Sequence, residues 1–252
     1  MPRRAGRRSS RPSADLRASW DARAREDPLY WSCVRSQYRG STDVEACLAE
    51  GEADAVALLE PVLARLGFDP GGRRLLDLGA GFGRMFRGYA KLDFGSITGA
   101  EVSLEMARLG ARFRPAPRSG FAVIDGRDLA AFRSGSFDFC VTRGVLPFQP
   151  DRRSVLRLIA EIHRVLSPGG GFLLHLGGVT PTWPVRARRR LGLRWHGRSG
   201  ACVLALPPAA VLAHLRGLGA TDLAVLPDPR RVARREQRYY IAGHKPGQPK
   251  SG

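Results

Sequence analysis

At 252 residues and 43% hydrophobic content, the chain is long and apolar enough to bury the core of one α/β domain, which excludes wholesale disorder. No uninterrupted apolar run approaches the ~20 residues that cross a bilayer, so a soluble protein without membrane contact is expected. The formal charge of +18 invites a nucleic-acid partner, yet Lys91, Lys245 and Lys250 are the only lysines among the 41 basic residues; an Arg skew with abundant Ala and Gly fits a GC-rich coding bias at least as well.

Residues 1–13 carry five Arg and predict a disordered basic tail. They lack the apolar stretch of a secretory signal, though an organellar transit peptide shares their Arg and Ser richness. A helix is expected over 14–25, ended by Asp27-Pro28. A second fits 52–66, where Val56, Leu59, Leu63 and Leu66 share a face; Pro61 predicts a kink or break and Gly67 a stop. Together, residues 14–70 read as an N-terminal helical cap. Then comes a short apolar run at 74–78, a glycine-rich turn and a helix over 84–92. A second strand at 96–102 is followed by a helix over 103–113 with Ser103 as N-cap. Strands follow at 121–124 and 137–142, a helix at 152–166, a break at Ser167-Pro168-Gly169-Gly170, and a fifth strand at 171–176. After an irregular basic stretch come a helix over 208–218 and strands at 223–226 and 238–242. Residues 247–252 read as a second disordered tail. Strands alternating with helices imply a Rossmann-like, doubly wound α/β fold over 71–246, with a mostly parallel seven-stranded sheet. The connection between the last two strands is too short for a crossover helix, so the final strand should run antiparallel.

Cys33, Cys47, Cys140 and Cys202 form no C-x-x-C pair, and no His stands at zinc-finger spacing from them. Four reduced thiols in a cytoplasmic protein, and no metal site, are the expectation.

The informative segment is Leu75-Leu76-Asp77-Leu78-Gly79-Ala80-Gly81-Phe82-Gly83-Arg84. An apolar strand ends at an acid, and glycines without a Cβ let a ligand approach the backbone where a helix opens. In doubly wound sheets, ligands bind outside the carboxyl ends of the strands. A dinucleotide fingerprint wants a third glycine where Arg84 stands, which leaves a nicotinamide oxidoreductase remote. Glu101 and Val102 end the second strand; the Glu101 carboxylate can accept hydrogen bonds from ribose hydroxyls, or simply be an acid at a helix start. Asp125-Gly126-Arg127-Asp128 ends the third strand and can face an adenine edge, or be an ordinary polar loop.

In this order, these segments resemble the class I S-adenosylmethionine-dependent methyltransferases, and within them a bacterial group with a generic methyltransferase domain. The resemblance covers residues 19–246. It implies S-adenosyl-L-methionine as cofactor and, as its contacts, Asp77, Gly79, Ala80, Gly81, Gly83, Arg84, Glu101, Val102, Met106, Asp125, Gly126, Arg127, Asp128 and Thr142. Ser136-Phe137-Asp138 and the run from Glu161 to Gly170 match further motifs. Trp20, Arg23, Ala24, Asp27, Pro28 and Tyr30 resemble a helix folded over the cofactor, from which Tyr30 or Arg39 could reach its methionine end. Phe148 stands where many relatives carry a His, which withdraws one candidate for acid–base chemistry.

The implied activity is in-line methyl transfer to a small-molecule acceptor. An RNA-directed methyltransferase and a catalytically silent cofactor-binding protein are the alternatives. The acceptor side should lie in residues 177–206, with Trp183, Trp195, His196 and the basic run Arg186-Ala187-Arg188-Arg189-Arg190. His175, at the end of the fifth strand, is the best-placed base, though a lone His is more often structural. The oligomeric state is not legible.

Overall fold

The computed structural model describes residues 13–179, 195–196, 202–228 and 236–247. Residues 1–12 and 248–252 of the two tails, Trp183 and the 186–190 run therefore lie outside the described residues, and Ser13, read as the end of the first tail, begins a helix.

Seven strands form one sheet: β1 (Arg74–Leu78), β2 (Ser96–Glu101), β3 (Ser119–Val123), β4 (Phe137–Thr142), β5 (Leu166–Val179), β8 (Thr221–Pro227) and β9 (Glu236–His244). Their order is β3-β2-β1-β4-β5-β9-β8. The first five run parallel, and β9 is antiparallel to both neighbours, as the short β8–β9 connection requires. A separate two-stranded pair joins β6 (Trp195–His196) to β7 (Cys202–Val203).

The helices are α1 (Ser13–Glu26), α2 (Pro28–Cys33), α3 (Val44–Leu66), α4 (Phe86–Lys91), α5 (Leu104–Phe113), α6 (Arg152–Val165) and α7 (Pro208–Gly217). On one face of the sheet, α6 and α7 bury Val155, Leu158, Ile159, Ile162, Val211 and Leu215 against Leu76, Cys140, Phe172 and Leu174. On the other, α3 and α4 bury Ala55, Leu59, Val62, Phe86 and Tyr89 against Leu75, Ile97, Phe139 and Leu173. Strands covered on both faces account for their near-continuous apolar sequences.

Three expectations change. The chain between the first two long helices is itself structured: Asp27 caps α2, its Oδ1 accepting from Tyr30 N at 3.2 Å and its Oδ2 from Gly40 N at 2.7 Å. Next, α3 begins eight residues early, where the Asp43 side chain accepts from Ala46 N, and runs unbroken through Pro61. The proline sits on the exposed side, while Leu48, Gly51, Ala55, Leu59 and Val62 recur at helical steps on the buried side, so packing outweighs one missing backbone bond. Finally, α4 is shorter than expected, because residues 81–85 remain in turns.

Candidate active site

Residues 79–83 leave β1 as a turn with positive φ at Gly79, Gly81 and Gly83 (79°, 58° and 79°), a region that side chains rarely tolerate. The three glycines face different ways. A Cβ on Gly79 would stand 2.1 Å from Val145 Cγ2, so the loop after β4 packs on it. A Cβ on Gly83 would meet Phe121, Phe86 and Pro115 within 3.0 Å, so this glycine serves packing beneath the turn. Gly81 is the open one; its nearest neighbour would be Ser32 Oγ at 3.4 Å, on the far wall of a cavity.

That cavity has a volume of about 480 Å³, within the range for small-molecule sites. It lies at the carboxyl ends of β1, β2 and β4, where a doubly wound sheet binds its ligands. Glu101 is buried at its edge. Its Oε2 accepts from Gly81 N at 2.8 Å, and its Oε1 from Val102 N at 2.8 Å and Ser103 N at 2.9 Å. Burial raises its pKa, against the lowering by these three amides. A carboxylate offers roughly four acceptor positions, so the three amides leave one on Oε2 unused, and Glu101 lines the cavity.

Of the residues implied by the resemblance, Asp77, Gly79, Ala80, Gly81, Arg84, Glu101, Val102, Met106 and Gly126 line the cavity. Gly83, Asp125, Arg127, Asp128 and Thr142 do not. Asp125 accepts from Arg127 N and Asp128 from Ala130 N, so both carboxylates brace the turns after β3. Thr142 is fully buried between β1 and β5. Tyr30 and Arg39 do not reach the cavity either; the Arg39 guanidinium stacks 4.0 Å from the Tyr30 ring centroid. The cap contributes other residues instead: Leu16, Trp20 and the stretch from Trp31 to Arg35. Arg17 donates to Val102 O and Ile124 O, and Asp21 accepts from Ser103 Oγ at 2.6 Å, which pins α1 across the ends of β2 and β3. Trp20 meets Phe148 edge-on at 6.4 Å.

Burial pushes the Asp77 carboxyl up to about 7, although Tyr89 Oη donates to it. Beside it lies a cluster with no single-residue signature in the sequence. Asp54, on α3, accepts from Arg84 Nη2 at 2.7 Å, Arg143 Nη1 at 3.1 Å and Arg35 Nη2 at 2.8 Å. Arg35 also pairs with Glu50. Burial works to raise the Asp54 pKa, but Arg143 and Arg84 hold it well below the usual carboxylate range. Neither residue was singled out from the sequence: Arg143 carries a positional signal, as the first residue after β4, whereas a helical acid such as Asp54 is by default solvated.

His175, the expected base, is fully buried, and both ring nitrogens are engaged. Nδ1 accepts from Gly144 N at 2.9 Å, so the ring proton sits on Nε2, 3.2 Å from Asp228 Oδ2. With no lone pair to offer an acceptor, His175 instead fixes the loop after β4.

Residues 76–174 match the family model of a methyltransferase domain. The sheet order is that of the Rossmann-like methyltransferase fold. A ubiquinone biosynthesis O-methyltransferase of Xanthomonas axonopodis pv. citri is 31% identical over 125 residues, 49% of this chain and 50% of that protein. An arsenite methyltransferase of Aquipseudomonas alcaligenes is 37% identical over 110 residues, 39% of this chain and 31% of that protein. The chain thus spans half or less of the length of these curated relatives. Among solved structures, a 1,6-didemethyltoxoflavin-N1-methyltransferase of Burkholderia thailandensis, with bound 1,6-didemethyltoxoflavin and S-adenosylhomocysteine, has the same fold. The TM-score is 0.60 at 20% identity, over 92% of this chain and 88% of that one. The matched part of the methyltransferase domain opens in β1 and ends in β5, so it contains the glycine turn, Glu101 and Arg143. It excludes the cap that supplies Trp20, Trp31 and Arg35, and stops one residue before His175. No helix among the described residues is long and apolar enough to cross a membrane.

Proposed function

We propose that this protein is an S-adenosyl-L-methionine-dependent methyltransferase acting on a small-molecule acceptor, in the cytoplasm. The observation that carries the reading is Glu101, set by three backbone amides beside the open Gly81 in a cavity at the sheet's carboxyl edge. The residues suit the cofactor. Gly81 admits a bulky group to the backbone, the remaining Glu101 acceptor position takes a ribose hydroxyl, and Met106, Val102 and Leu16 form an apolar wall for a flat base. When bound, the cofactor supplies an electrophilic methyl group on its sulfonium.

The chain's own contribution is then orientation. With the two reactants held in line, ~7–11 kcal/mol of the barrier can come from positioning alone. The cap helices limit water access from above, and Trp20, Trp31, Val145 and Phe148 offer an apolar, aromatic chamber to the acceptor. His175 takes part by holding Gly144. The small-molecule relatives agree with a cavity of this size.

Calorimetric titration of the folded chain with S-adenosyl-L-methionine and S-adenosylhomocysteine tests the first half; no heat with either ligand overturns it. Transfer of a labelled methyl group to a panel of small phenols, amines and thiols tests the second.

A further inference from the structure

We propose that Cys33 and Cys47 form an oxidation site in the cavity wall, at which hydrogen peroxide converts the two thiols into a disulfide. The site uses two side chains that the methyltransferase reading leaves idle.

The pair joins two segments of the cap. Cys33 is the last residue of α2, half-buried, and lines the cavity next to Ser32, which stands opposite Gly81. Cys47 lies in the first turn of α3 and is fully buried, in the cluster of Leu48, Phe82 and Met106 against which Cys33 packs. The Cys47 S–H donates to the Cys33 sulfur, so the two sulfurs are already in contact. The chain turns sharply behind them. Val34 has a φ of 54°, a region that β-branched residues rarely enter, and its N–H returns to Tyr30 O.

Peroxide reacts with a thiolate rather than a thiol. As a thiol, Cys33 donates to Leu29 O at 3.3 Å. Ionised, it is stabilised by the Cys47 S–H, the Arg35 N–H and the guanidiniums of Arg84 and Arg35, which together hold its pKa below the usual thiol range against the effect of burial. The ion pairs of Arg35, Arg84 and Arg143 involve two carboxylates, Asp54 and Glu50, so the thiolate adds a third anion beside three cations. Cys47 has the opposite setting. The neighbouring Cys33 and burial push its pKa up, so it keeps its proton while Cys33 is ionised.

The order of events follows from this difference. The Cys33 sulfur attacks one peroxide oxygen; an S–O bond forms, the O–O bond breaks, and the departing hydroxide takes up the proton that Cys33 had released. Cys33 is now a sulfenic acid, and one water has left. The sulfenic acid is uncharged, so it no longer opposes ionisation of Cys47, which Arg84 and Arg35 favour. The Cys47 sulfur attacks the Cys33 sulfur; the S–S bond forms, the S–O bond breaks, and hydroxide leaves with the Cys47 proton as a second water. The two thiols together give up two electrons and the peroxide accepts them.

The test exposes the folded, fully reduced chain to equimolar hydrogen peroxide at neutral pH, blocks it with iodoacetamide and maps its peptides by mass spectrometry. The expected product is a linked Cys33–Cys47 peptide pair, at least about tenfold above any other disulfide and lost on treatment with dithiothreitol, with the fully buried Cys140 still reduced. In Cys47→Ser the reaction stops at a Cys33 sulfenic acid that dimedone traps; in Cys33→Ser the buried Cys47 stays reduced. The wild-type map decides by itself should either variant fail to fold. Cys33 and Cys47 both free after an exposure that oxidises glutathione in the same tube overturns the site. So does a wild-type Cys33 that ends as a sulfinic acid, or in a disulfide with Cys140, Cys202 or a second chain.

Discussion

Glu101→Gln is the sharpest test of how the glycine turn and the ligand share one side chain. In the wild type, three amides converge on the carboxylate at 2.8, 2.8 and 2.9 Å. A glutamine has a single acceptor oxygen. It keeps more bonds by turning that oxygen toward Val102 N and Ser103 N, which points its NH₂ at Gly81 N–H, donor against donor. Gly81 then loses a bond to a charged acceptor, worth about 1.5–3 kcal/mol, and the unused acceptor position disappears with it. Stability should change by less than about 2 kcal/mol, since the neutral amide also escapes the desolvation that raises the Glu101 pKa. Binding has no such offset. Loss of the hydroxyl's partner together with a loosened turn amounts to about 3–4 kcal/mol, a weakening of S-adenosylhomocysteine by ~10²–10³-fold at 1.4 kcal/mol per decade. Titration calorimetry on both proteins, with thermal melts alongside, reads the two effects separately. A dissociation constant within threefold of wild type would refute the reasoning, because it would mean that the carboxylate serves only to cap the turn.

Asp77→Asn should flatten the pH dependence of stability. The folded pKa of about 7 lies above the unfolded value of 3.8, so the wild type is most stable below about pH 4 as far as this group is concerned, and loses on the order of 4 kcal/mol between about pH 4 and pH 7; urea melts at pH 5 and pH 8 should show about 3 kcal/mol of that loss. Asp138→Asn should act in the opposite sense. Its pKa is held at about 2 by Arg74 and Ser167 against the effect of burial, so its contribution of about 1–2 kcal/mol, discounted because Arg74 is half exposed, is present above pH 4 and fades as pH falls through 2. Gly51→Ala should destabilise by about 1–3 kcal/mol in thermal melts even though helices generally favour alanine, because the new Cβ would stand 2.1 Å from Arg84 O. His175→Asn should lower the methyl-transfer rate at least tenfold while leaving S-adenosylhomocysteine affinity within threefold; unchanged turnover would remove its positioning role.

The sheet was legible because each of its central strands is buried on both faces, so β1, β2 and β4 stand out as short apolar runs between glycines and caps. Ser103 was legible as an N-cap for a local reason: it sits three residues before Met106, whose amide it accepts. Gly79, Gly81 and Glu101 were legible together, since a glycine-rich turn and an acid on the next strand need only β-strand adjacency to meet. The limit of that reasoning is visible within the turn itself. Gly79, Gly81 and Gly83 look equivalent in sequence, yet only Gly81 faces open space, and the difference arises from Val145 and Phe121, which are 66 and 38 residues away from the glycines they meet.

What the sequence concealed was the charge chemistry of the cavity wall. An excess of Arg makes any single guanidinium uninformative, and +18 reads most simply as a solvated surface. Burial is what distinguishes Arg84 and Arg143 from the rest, and burial here depends on α3 starting at Val44 and approaching the turn so closely that Gly51 touches Arg84. The early helix start was itself hidden, because the polar stretch at 43–54 carries the acids that pair with Arg35, Arg84, Arg87 and Lys91 and so lacks an apolar stripe of ordinary width. The acids that make this helix hard to read thus include those that hold the arginines at the cavity. His175 shows the same logic in reverse: its position at the end of β5 suggested a base, whereas the amide of Gly144 and the carboxylate of Asp228, one after β4 and one after β8, turn it into a strut. Proximity to a cavity, legible from topology, names the candidates; the partners brought in from distant segments decide which of them can do chemistry.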